Sequence, residues 1–218
     1  MIRPSLLESG IVVVAMLAAS IVALGQVPAD ARIAIHFDVT GQPDGFADPV
    51  TAFLTMPAVT MAMSALFAFL PRLEPFAENL ARSRAAYAAT WRAVILLLAA
   101  CHALLIGHAL GLVREVPGFM TALLGLVLVA TGNVAGKTRP MLFFGVRTPW
   151  TLADEGVWRK THRLYGRASV ALGLGLVALA LTAAPPVMLA TATLGGLALL
   201  VTASTAYSWW LWRENRAS

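Results

Sequence analysis

Three groups of residues in this 218-residue chain carry side chains that could do chemistry. The first is polar: His36, Asp38 and Asp44, set among Gly41 and Gly45. The second is basic and aromatic: Arg147, Thr148, Pro149, Trp150 and Thr151, followed by Trp158, His162 and Arg163. The third, Cys101, His102 and His108, is enclosed in an apolar run. His36, Asp38 and Asp44 are ligand-type residues, but their spacing fits neither a HExxH zinc site nor an EF-hand loop. No metal and no other cofactor is expected, and bracing the loop is the better role for these side chains. His102 and His108 do not share a helix face. Apart from Glu8 near one end, no carboxylate lies in an apolar run, so a proton relay lacks partners. Neither a GxSxG elbow nor a P-loop is present. Catalysis has no positive support, which leaves binding.

In the second group, Arg147 offers a planar fork that suits a carboxylate or a phosphate. The competing expectation is a structural pair with Asp154 or Glu155. Pro149 holds Thr148 extended, and Thr151 can cap a helix. Together they predict a small corner for an anion or a partner at Arg147. His162 is expected to be a hydrogen-bonded ring at an interface, with a titrating switch as the alternative.

The elements that must position these residues are set by composition. The chain is 59% hydrophobic and 12% charged, about half the charge of an ordinary soluble domain. The formal net charge of +5 is explained by the positive-inside rule rather than by direct contact with nucleic acid. Cys101 is the single cysteine, so no disulfide can form within the chain. The expected fold is a single all-α integral membrane domain over residues 1–218, with six spans: Leu6–Leu24, Val50–Leu70, Arg92–Leu112, Phe119–Ala135, Ala168–Ala184 and Val187–Trp212. Each approaches the ~17–25 residues that cross hydrocarbon. The first is read as an uncleaved helix starting at a Ser5–Glu8 capping box. The second should kink at Pro57, with Thr55, Thr60 and neighbouring helices satisfying the freed backbone.

Residues 26–49 form a structured loop. Ile33, Ile35 and Phe37 alternate with Arg32, Ala34, His36 and Asp38 at strand period. Thr40-Gly41 and Pro43-Asp44-Gly45 are turn chemistry, with positive φ expected at both glycines. Residues 136–167 form the other long polar segment and hold seven of the sixteen Lys and Arg residues. Within it, Leu152–Tyr165 reads as an amphipathic helix at the membrane surface, Trp158 and Tyr165 facing lipid and Arg159, Lys160, Arg163 and Arg167 facing headgroups or water. Gly166 would bend the chain into the fifth span. Six spans put both termini on one side. That side would hold fourteen of the sixteen basic residues, leaving Arg32 and Arg114 opposite. The expected orientation is N-in and C-in, with 26–49 outside.

Two stretches carry a family resemblance. Gly132-Asn133, Gly136-Lys137, the run Phe143-Phe144-Gly145-Val146-Arg147-Thr148-Pro149-Trp150-Thr151-Leu152, Trp158 through Arg163, and Gly166-Arg167 closely resemble the signature of the SdpI family. These are membrane proteins named for immunity to a secreted sporulation-delaying peptide toxin. His36-Phe37-Asp38, Gly41 and Pro43 through Phe46 are similar to an extracellular motif often found in that family, a domain of unknown function, DUF1648. The resemblance implies a multi-pass protein of the bacterial cytoplasmic membrane. It also implies that a peptide toxin or another envelope ligand is met outside, and that the inner loops hold a regulator such as an ArsR-type repressor. Membrane lipids are expected contacts throughout. A small transporter or lipid-handling protein, using the third-span histidine and the kinked second span, is the alternative.

Overall fold

Hydrocarbon offers no water to backbone amides, so a chain this apolar must satisfy them within helices. The computed structural model describes residues 2–182 and 184–217. It contains eight helices among these: α1 (Ile2–Leu24), α2 (Pro49–Leu73), α3 (Ala77–Arg82), α4 (Arg84–Ala109), α5 (Val116–Ala135), α6 (Pro149–Ala153), α7 (Glu155–Ala180) and α8 (Pro186–Ala217). Six of them, all but α3 and α6, are long and apolar enough to cross a membrane. The protein is an all-α multi-pass membrane protein with one small hairpin, β1 (Ile33–Phe37) against β2 (Pro43–Ala47). Leu7, Ile11, Val14 and Ile21 of α1 are exposed, as a lipid-facing flank requires.

Several boundaries differ from the sequence reading, each for a physical reason. Helix α1 already runs from Ile2, so Ser5 and Glu8 lie inside it and form no cap. Glu8 instead accepts two hydrogen bonds from Arg92, at 2.6 and 2.8 Å. The third span starts at Arg84 rather than Arg92, because the alanine-rich stretch before Trp91 simply continues the helix. The expected fifth span, 168–184, includes Ala183, which lies outside the described residues.

The largest correction concerns Leu152–Tyr165. It is not a separate surface helix. From Glu155 it is the first part of α7, which runs through Gly166 without a break. Gly166 serves close packing instead. A Cβ on Gly132 of α5 would lie 2.8 Å from the Gly166 carbonyl, and one on Gly125 only 2.6 Å from that of Gly173. The antiparallel pair α5–α7 thus meets along two glycine steps a heptad apart, the small-residue packing that brings membrane helices together.

Helix α2 contains Pro57, which frees the carbonyl of Phe53 four residues earlier. Thr55 and Thr60 do not reach it; they bond Thr51 O and Met56 O. The Ser20 hydroxyl of α1 lies 2.8 Å from Phe53 O. It is also 3.1 Å from Nε2 of His102, which lies 3.2 Å from Met16 O. With its single proton, Ser20 donates to a carbonyl and accepts from His102 Nε2–H. The third-span histidine is therefore built into the α1–α2–α4 contact.

The two polar segments lie at opposite ends. The hairpin packs where Pro117 and Pro186 begin α5 and α8. The 136–154 segment meets the other ends of α2, α3 and α8, through Glu74, Asn79 and Asn215.

Candidate functional site

At the hairpin end, order begins with Asp38. Its Oδ1 accepts from Thr40 N at 2.8 Å, Thr40 Oγ1 at 2.7 Å and Gln42 N at 2.9 Å. These bonds, the Thr40 hydroxyl foremost, hold its carboxyl below the usual carboxylate range. The turn is therefore Asp38–Gln42. Pro43, Asp44 and Gly45, read from sequence as turn residues, belong to the second strand. Gly41 has φ +80°, and a Cβ there would sit 3.0 Å from Pro117 and 3.1 Å from Pro186. Gly45 departs from expectation: its φ is not positive. It faces His36 at a strand irregularity, where a Cβ would come within 2.8 Å of the His36 side chain. His36 Nδ1 pairs with Asp44 across the strands. Phe37 meets His108 edge-on at 5.1 Å, which fixes the hairpin to α4.

Beneath this hairpin lies a cavity of about 640 Å³. Its roof is Ile35 through Val39. Its walls come from Met56 of α2, Cys101 and Leu104 of α4, Met120 and Thr121 of α5, and Leu189 and Ala190 of α8. The lining is mainly apolar with a few polar groups at the hairpin, the pattern and size of small-ligand sites. Of the outer candidates, His36 and Asp38 line it. Asp44 touches His36 without lining the cavity, and Gly41 and Gly45 lie in the turn and second strand of the hairpin.

At the basic end, residues 136–148 fold back and add Met141 to a buried hydrophobic cluster that includes Tyr87, Trp91 and Trp158. Trp158 was expected to face lipid; it is fully buried. Its Nε1–H donates to Thr138 O at 3.1 Å. The ring stacks on His162 at 3.9 Å. His162 is also buried, not at an interface. Its Nδ1 lies 2.9 Å from Trp158 O, while its Nε2 accepts the Val146 N–H at 2.9 Å. These partners fix one form: neutral, with the proton on Nδ1. The same contact explains Gly145, whose φ is +103° and whose missing Cβ would press on Trp158 and His162.

Thr148 and Thr151 form a reciprocal capping box around α6. Thr148, not Thr151, is the N-cap, and its hydroxyl lies 3.2 Å from Ser208 of α8. Trp150 meets Trp212 edge-on at 6.4 Å, and Arg216 lies over the Trp212 ring. Pro149 opens α6. Arg147 pairs with neither Asp154 nor Glu155. Asp154 caps α7 through Val157 N, and Glu155 bonds Arg139. The Arg147 guanidinium donates to Leu142 O at 2.7 Å. Arg163 is exposed on α7, beside Gly136.

The residue that sequence reasoning missed is Glu74. It is buried, and its carboxylate accepts the backbone N–H groups of Leu142, at 2.9 Å, and Phe143, at 3.1 Å. Asn79 donates to Pro140 O and Ser83 accepts from Arg139 N. The α2–α4 connection thus clamps the signature loop. A glutamate beside a proline after a helix was the available signal, but nothing in it names a partner 68 residues away.

Known proteins resemble the chain in the same two regions. The SdpI/YfhL protein family matches residues 137–209, and a domain of unknown function, DUF1648, matches residues 11–61. One curated relative, "Immunity protein SdpI" of Bacillus subtilis (strain 168), is 29% identical over 86 residues. That alignment covers 39% of this chain and 42% of the relative, so it spans less than half the length of either. No solved structure matches the chain. The buried Trp158–His162 pair, the Phe143–Leu152 loop and α7 lie within the first match and the hairpin within the second, so the chain is similar to the SdpI/YfhL family over its signature loop and last two spans and to DUF1648 around its hairpin.

Proposed function

We propose that this chain is an SdpI-like immunity and signalling protein of the bacterial cytoplasmic membrane. It lies N-in and C-in, receives an apolar part of a peptide toxin or another envelope ligand outside, and engages a transcriptional regulator at its inner loops. The observation that carries the reading is the cavity of about 640 Å³ directly beneath the DUF1648 hairpin. Its volume suits a few apolar side chains of a peptide rather than a whole folded partner. The His36–Asp44 pair and Asp38 at its roof supply polar contacts for the backbone that follows them in. The matched relative is named as an immunity protein, which supports a toxin as the ligand.

Two features support the regulator. The capping box, the Glu74 clamp and the Trp158–His162 stack hold the Phe143–Leu152 loop in one shape. Beside it, α7 presents the exposed Arg159, Lys160, Arg163 and Arg167. A rigid loop next to a basic face suits an acidic surface of a cytosolic protein. Cells with and without the protein, challenged by a panel of secreted antimicrobial peptides, test the reading. Survival that depends on the protein for at least one peptide supports it, and equal killing across the panel counts against it.

A further inference from the structure

A second cavity, of about 490 Å³, lies at the basic end between α4, α5, α7, α8 and the signature loop. Arg147, Tyr165, Thr90, Thr131 and Thr205 line it, and no Asp or Glu does. Arg147 spends one guanidinium nitrogen on Leu142 O and forms no ion pair among the described residues. The Thr90 hydroxyl is buried with no hydrogen-bond partner, a state that native interiors seldom leave uncompensated. A guanidinium and an unspent hydroxyl in an acid-free pocket complement an oxyanion, and phosphate is one that the planar fork matches. Val201 lines the cavity and yet is 59% exposed. It stands one heptad after Leu194, 63% exposed on the same flank of α8. The mouth therefore opens on a bilayer-facing surface.

The geometry points to this cavity as a phosphate-binding site, with Arg147 and Thr90 as the contacts and the headgroup of an anionic phospholipid as the occupant. The phosphate enters the pocket and the acyl chains lie along Val201 and Leu194. Free phosphate from the cytosol offers the same oxyanion without the chains. The phosphate pocket shares no lining residue with the cavity under the hairpin, although Leu194, along which the chains run, borders that cavity; the Arg147 and Thr90 contacts do not depend on a toxin binding there.

Purified full-length protein in maltoside micelles is titrated, by native mass spectrometry, with dioctanoyl phosphatidylglycerol, dioctanoylglycerol and inorganic phosphate. The phospholipid should bind at least about tenfold more tightly than the phosphate-free diglyceride, as loss of charge-assisted hydrogen bonds implies. Arg147→Ala should weaken it by about tenfold or more, Arg147→Lys by less, and Thr90→Val by about fivefold. Thr90→Val removes only a hydroxyl, so it decides the matter should Arg147→Ala fail to fold. If inorganic phosphate binds as tightly as the phospholipid and displaces it, the oxyanion site stands with free phosphate as its occupant. Equal binding of the diglyceride overturns the proposal. So does wild-type affinity in variants whose circular dichroism is unchanged.

Discussion

Replacing Gly145 with alanine tests how the signature loop is held. Gly145 has φ +103°, where an L side chain is strained by on the order of 1–3 kcal/mol. The new methyl would also lie 3.0 Å from Cη2 of Trp158 and closer still to Nε2 of His162. That nitrogen accepts the Val146 N–H, and separating a buried donor from its acceptor costs about 1–3 kcal/mol. Both effects act on one short segment, so the expected loss is about 2–6 kcal/mol. The control is Gly175→Ala, on the same helix α7 as His162, with nothing within 4 Å of the added methyl. It should be neutral or stabilising by up to about 1 kcal/mol, since alanine favours helix over glycine. Unfolding by dodecyl sulfate in maltoside micelles, followed by circular dichroism and tryptophan emission, measures both variants. A Gly145→Ala protein as stable as its Gly175→Ala control would refute the link between this glycine, His162 and the loop.

Three further outcomes concern the hairpin, the Glu74 clamp and the topology. Gly41→Val puts a β-branched residue at φ +80° against Pro117 and Pro186. It should abolish protection against the peptide while membrane insertion, read by fractionation, stays normal; a strain on the order of 1–3 kcal/mol is enough to reshape the turn. Glu74→Gln leaves one amide oxygen where the carboxylate now serves Leu142 N and Phe143 N. In the same unfolding assay it should cost about 1–3 kcal/mol. Reporter fusions should place residue 40 outside and residue 150 inside, and the reverse pattern would contradict the topology.

How much of this was readable in the sequence depends on the range of the interaction. The spans and the strand at Ile33–Phe37 rest on local hydropathy and alternation, and these were legible. The cap of α2 is equally local: Asp48 accepts from Thr51 N, three residues away. Trp158 was not legible. Its helix has an apolar and a basic face, and a pattern on one helix says which side avoids water without saying whether lipid or protein covers it. Only the return of 136–148 over α4 decides for protein. Gly166 misled for a related reason: glycine in a helix reads as a bend, whereas here it is a contact surface for Gly132. Arg147 was legible as a guanidinium seeking a partner, but its nearest acidic residues in sequence were already engaged by Asn215 and Arg139. The glycines of the hairpin divided the same way. Gly41 needs its positive φ, which turn chemistry foretells, while Gly45 needs only a missing side chain opposite His36, which register alone reveals.

Ligand binding is assigned to the cavity under the hairpin, and filling that cavity tests the assignment most directly. Ala190 of α8 is partly exposed on its wall, and Ala190→Trp puts an indole into that space while leaving His36, Asp38 and the basic end unsubstituted. Survival is measured for cells carrying wild type, Ala190→Trp or no protein, matched for membrane abundance and exposed to a peptide that wild type resists. Ala190→Trp cells should die like those without the protein. Full protection by Ala190→Trp would contradict the assignment.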